Sequence, residues 1–125
     1  MGRTEHLAGC IILVVENEPV IALELRQLFE AEGAEVHIGP TPTDALFLIH
    51  KTSFSAAVLD FGLINDDTAP LCRTLRTCSV PFMYYTGFDD LDEKALGAPV
   101  VTKPASAEAL IATISTLLGS SSFRP

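Results

Sequence analysis

The chain has 125 residues, 48% of them hydrophobic, with 16 acidic and 8 basic side chains and a formal net charge of −8. That length suits one domain with a real core, and the acidic balance argues against nucleic acid as a direct partner, because phosphate binding needs a basic face. No apolar run is long enough to insert in a membrane, and Met1–Gly9, which carries Arg3, Glu5 and His6, lacks the apolar stretch of a signal peptide.

Ile11-Ile12-Leu13-Val14-Val15 is a continuous apolar run rich in β-branched residues, the pattern of a strand covered on both faces. A helix follows, with Pro19 in its first turn, Ile21, Leu25, Leu28 and Phe29 at helical spacing, and Gly33 as a left-handed cap. Glu35–Gly39 reads as a second strand. Thr41-Pro42-Thr43-Asp44 is a helix start, with a hydroxyl cap, a first-turn proline and a carboxylate near the positive dipole end. Leu46, Leu48 and Ile49 fill that helix.

Ala56–Leu59 is the third strand and Asp60 ends it. A third helix over about Thr68–Arg76 turns Leu71 and Leu75 inward. Pro81–Tyr85 is the fourth strand, about Asp89–Leu96 a short fourth helix, and Val100-Val101 the fifth strand. Ala107, Leu110, Ile111, Ile114, Leu117 and Leu118 form the clearest helical stripe. Gly119–Pro125 is small and polar, as a flexible tail or the start of a linker would be. The expected organisation is an N-terminal extension over residues 1–9, a domain over 10–118 and a tail over 119–125. Five βα repeats predict an α/β fold with a doubly wound parallel sheet and helices on both faces.

Cys10, Cys72 and Cys78 have no metal-ligand spacing, and an odd count fits a reducing, cytoplasmic compartment. They read as small buried apolar residues. The three histidines are scattered too widely to suggest a ligand set.

Ligands of open α/β sheets bind at the carboxyl edge. Strand one delivers Glu16 and Asn17 there, strand three Asp60, strand four Thr86 beside Gly87, and strand five Lys103 before Pro104. Clustered oxygen ligands suit Mg²⁺. An ammonium and a hydroxyl suit the oxygens of a transferring phosphoryl group.

Val14-Val15-Glu16-Asn17-Glu18-Pro19, Val58-Leu59-Asp60, Tyr85-Thr86-Gly87 and Thr102-Lys103-Pro104 together resemble the receiver domain of two-component response regulators, over about Cys10–Leu118. The resemblance implies a flavodoxin-like strand order of 2-1-3-4-5. It implies that Asp60 accepts a phosphoryl group from a histidine kinase or phosphotransfer protein, that Thr86 is the switch hydroxyl, and that Lys103 pairs with the phosphoryl group. It implies a Mg²⁺ site from Glu16, Asn17, Asp60 and the backbone carbonyl of Gly62. The chain would then be a signalling domain and not an enzyme beyond self-catalysed phosphotransfer and autodephosphorylation. It would switch a contact with a downstream protein, an output domain or a second copy of itself, as a stand-alone regulator or as part of a longer protein.

Three features depart from the family pattern. Asn17 stands where a second metal-binding aspartate is usual. Val100 stands where an aromatic residue is common, three before the lysine. Only 16 residues separate Thr86 from Lys103, so the fourth helix must be short. The run Pro81–Phe88 is also similar to that of an atypical alphaproteobacterial single-domain receiver group. A degenerate receiver that binds partners without phosphorylation is the main alternative. A flavin carrier would need a glycine- and hydroxyl-rich loop after strand one, and an aspartate-dependent phosphatase would usually need a general acid where Gly62 stands.

Overall fold

Five short apolar runs form the five strands of one parallel sheet, and the amphipathic segments between them form its two covering layers. The computed structural model describes residues 6–60, 68–87 and 93–122, with backbone alone at 94, 95 and 120–122. In chain order the elements are β1 (Ile11–Val15), α1 (Pro19–Ala31), β2 (Glu35–Ile38), α2 (Pro42–Lys51), β3 (Ala56–Leu59), α3 (Thr68–Thr77), β4 (Phe82–Thr86), α4 (Glu93–Leu96), β5 (Val100–Thr102) and α5 (Ala107–Ser122). All four strand pairings are parallel and the order is β2-β1-β3-β4-β5. The doubly wound sheet and its strand order agree with the sequence expectation.

Alternation along the strands sorts the core into two halves. Ile12, Val14, Val36, Ala56, Val58, Met83 and Tyr85 pack under α1 and α5, against Leu25, Phe29, Leu110 and Ile114. Leu13, Val15, Ala57, Leu59, Phe82 and Tyr84 pack on the other face against Ala45, Leu71, Cys72 and Leu75 from α2 and α3. The central strands β3 and β4 are buried along their whole length, while the edge strands β2 and β5 are not. No helix among the described residues is long and apolar enough to cross a membrane.

The helix ends follow their residues. Pro19 opens α1, and Gly33 takes a φ of 97° just after its end. Thr41 caps α2 through its hydroxyl, which accepts from the Asp44 N–H at 3.1 Å and donates to the Asp44 carboxylate at 2.8 Å.

Several expectations shift. Leu7, assigned to the N-terminal extension, is wholly buried in the α1–α5 core. Its N–H donates to the Glu32 carbonyl at 2.8 Å, so the segment before β1 clips onto the end of α1. The last helix runs through Gly119 to Ser122, past the start of the expected tail. Ala107 opens α5 but is exposed, so the buried stripe begins at Leu110. Cys72 is buried and Cys10 half-buried, but Cys78 is exposed beyond the end of α3. The fourth helix is one turn; residues 89–92 of its expected span lie outside those described.

Candidate functional site

The same alternation decides what meets at the carboxyl edge. Glu16 continues the Ile12–Val14 set, Asp60 the Ala56–Val58 set and Lys103 follows Val101, so all three emerge on the α1–α5 side. The side chains converge. Lys103 Nζ lies 3.1 Å from Glu16 Oε1 and 3.5 Å from Asp60 Oδ2. The other Glu16 oxygen, Oε2, accepts from the Glu18 N–H at 3.0 Å, tying the site to the start of α1. Asp60 is held by its own backbone, whose N–H donates to the Val15 carbonyl at 3.0 Å. Lys103 is held likewise, its N–H donating to the Thr86 carbonyl at 2.6 Å.

Exposure divides the set. The Glu16 side chain is 2% exposed, Asp60 12% and Lys103 19%. Burial pushes the Glu16 carboxyl above its usual range. The nearby Asp60 charge adds to that rise, while the Glu18 N–H and Lys103 oppose it. Asn17 is exposed beside Glu16 and borders a cleft of ≈ 320 Å³ that includes Pro19, Leu23, Arg26 and Pro40.

Thr86 is completely buried at the end of β4, in register with Thr102. It continues the Phe82–Tyr84 set, and its carbonyl accepts from the Lys103 N–H. Gly62 lies outside the described residues.

The comparisons with known proteins point one way. No family model matches the chain. The chain is 30% identical over 99 residues to the aerobic respiration control protein ArcA of Escherichia coli, covering 74% of this chain and 42% of that protein. A two-component response regulator from Clostridium difficile has the same fold at a TM-score of 0.78, with 21% identity over 90% of this chain and 98% of that one. The response regulator PhyR from Brucella abortus matches at a TM-score of 0.77 and 26% identity, over 94% of this chain and 51% of that one. This chain is a response regulator receiver domain. It spans less than half the length of ArcA.

Of the receiver residues expected from sequence, the structure brings Glu16, Asp60 and Lys103 into contact, sets Asn17 at the rim, and joins Thr86 to Lys103 through the backbone. Two contributors escaped sequence reasoning. One is the Glu18 N–H, which counts through its backbone, while its side chain makes no cap bond on α1. The other is Tyr85, whose ring lies under the Lys103 ammonium at 5.4 Å from the centroid. Its place two before Gly87 gave no signal of that; the register Tyr85↔Val101 does, since Lys103 follows Val101 on the same face. Tyr84, the neighbour of Val100 across the sheet, is tied up in packing. Its ring stands edge-on to Phe82, and its Oη lies 3.6 Å from Cys72 Sγ.

The receiver's donor set can be weighed against a divalent cation. Glu16 and Asp60 supply anionic oxygens within reach of a common ammonium, and Asn17 adds an amide beside them. Glu16 Oε1 accepts from Lys103 and Oε2 from the Glu18 N–H, and each carboxylate oxygen carries two lone pairs. Hard, anionic oxygen donors fit Mg²⁺. Among the described residues no three His, Cys, Asp or Glu side chains gather as a metal cluster, so the set relies on two carboxylates with neutral oxygens beside them.

Proposed function

We propose that this receiver domain accepts a phosphoryl group on Asp60 from a histidine kinase or phosphotransfer protein, in a cytoplasmic phosphorelay. The observation that carries the reading is the single ammonium of Lys103, shared by Glu16 Oε1 at 3.1 Å and Asp60 Oδ2 at 3.5 Å. An Asp60 oxygen attacks phosphorus while the bond from phosphorus to the donor nitrogen breaks and its electron pair stays with the imidazole. Lys103 then exchanges part of its carboxylate contact for a phosphoryl oxygen. The Thr86 hydroxyl donates to another.

Glu16, Asn17, Asp60 and the Gly62 carbonyl would hold Mg²⁺. Bound there, the ion would offset the repulsion between an anionic nucleophile and an anionic phosphoryl group. Exposed Val20 and Leu23 on α1, beside the Asn17 rim, offer apolar surface to the donor. The domain's output would be a protein contact, with an effector, an output domain or a second copy, shifted in population by phosphorylation. The domain would act as a signalling module, its chemistry limited to self-catalysed phosphotransfer and autodephosphorylation. The one-turn α4 supports a place among the atypical short-helix receivers.

Incubation with a small-molecule phosphodonor and Mg²⁺, followed by intact-mass measurement, tests this reading. The wild type gains one phosphoryl group, and neither Asp60→Asn nor the wild type in EDTA does. The neutral Asn17 favours a second reading, a receiver that works by binding alone. An unmodified wild type would support that reading instead.

A further inference from the structure

The ammonium of Lys103 has a third neighbour that is not a carboxylate. It lies 5.4 Å from the ring centroid of Tyr85, inside the range of a cation–π contact. Lysine is a point charge on a flexible stem, so its placement needs a fixed partner. Tyr85 is such a partner. It is 9% exposed, it packs in the α1–α5 core with Met83, and β4 bonds it in register with Val101. Glu16 and Asp60 hold the ammonium through their oxygens, at 3.1 and 3.5 Å, and the ring meets it as a further, non-oxygen partner. A ring face beneath it restricts the stem while leaving the ammonium's N–H donors free to change oxygen partners.

We infer that Tyr85 is a positioning residue for Lys103, its ring face seating the ammonium between Glu16 and Asp60. The inference rests on the phosphoacceptor reading for its purpose, but on the ring contact for its existence. The ring is what matters, so Tyr85→Phe keeps the function and Tyr85→Leu loses it.

The test compares wild type, Y85F and Y85L by two readouts. The first is the NMR shift of the Lys103 side-chain resonances, which a ring face displaces upfield. The second is the initial rate of phosphorylation by a small phosphodonor at saturating Mg²⁺. Wild type and Y85F share the displaced resonances, and their rates agree within about twofold. Y85L loses the displacement and is phosphorylated about two- to fivefold more slowly, the size of a modest cation–π contact. Should Y85L lose its native amide spectrum, Y85M replaces it with a flexible apolar side chain. Undisplaced Lys103 resonances in the wild type would overturn the inference, as would a Y85F that behaves like Y85L, or a Y85L that matches wild type. If no protein is phosphorylated, the phosphoacceptor reading fails, and the Lys103 resonances still decide whether the ring seats the ammonium.

Discussion

Glu16 carries an electrostatic conflict that can be measured. Burial raises its pKa above the unfolded value of about 4.5. The folded protein therefore holds this proton to higher pH than the unfolded chain does. Ionising Glu16 costs stability as pH rises from the unfolded value through the folded one, and the cost is fully present above that. In the metal-free protein, Glu16→Gln removes the cost at neutral pH. We predict that its thermal midpoint in EDTA is at or above that of wild type, with a flatter fall between mildly acidic and neutral pH. Added Mg²⁺ then stabilises wild type but not Glu16→Gln. Asn17 is the converse case, an exposed neutral amide at the rim where a second charge would help a cation. Asn17→Asp should tighten Mg²⁺ binding by about tenfold, or ~1.4 kcal/mol, in a calorimetric titration. Both residues were legible in the sequence because both follow an apolar strand directly. Glu18's backbone contribution was not, since nothing in a side-chain pattern reports where an N–H points.

α4 shows what element length costs and how this chain manages it. A four-residue helix has too few internal hydrogen bonds to persist alone. Among the described residues, two side chains tie it down by hydrogen bonds. The Glu93 carboxylate accepts from the Val100 N–H at 2.7 Å, which also occupies a donor on the open edge of β5. Arg76 reaches from the end of α3, donating to the Leu96 carbonyl at 3.2 Å and lying 5.2 Å from the Phe82 ring centroid. Glu93→Ala should cost about 1 kcal/mol in denaturant melts and speed amide exchange at Val100, while exchange in β1 and β3 stays unchanged. The short spacing between Thr86 and Lys103 made the trimmed helix legible. Its anchors were not, because Arg76 and Glu93 lie 20 and 7 residues from the groups they bind.

At the scale of the whole molecule, alternation along four strands does most of the positioning, because the residue parity that builds two half-cores also sends Glu16, Asp60 and Lys103 to one side. The parallel sheet was therefore readable from apolar runs, and the residues ending them marked its carboxyl edge, while the strand order came from the family resemblance. The ends of the domain were harder, because a lone leucine in His6-Leu7-Ala8-Gly9 carries no periodic signal. Leu7 is nonetheless fully buried, and Leu7→Ala should cost about 2–5 kcal/mol in a denaturant melt, as a core truncation and not as trimming of a loose extension. On the proposed reading, this geometry serves Asp60. Borohydride reduction of the phosphorylated protein, followed by peptide mass mapping, converts an acyl-phosphate aspartate to homoserine and so names the acceptor. The account predicts homoserine at position 60 and nowhere else; homoserine at another aspartate, or label that resists borohydride, would contradict it.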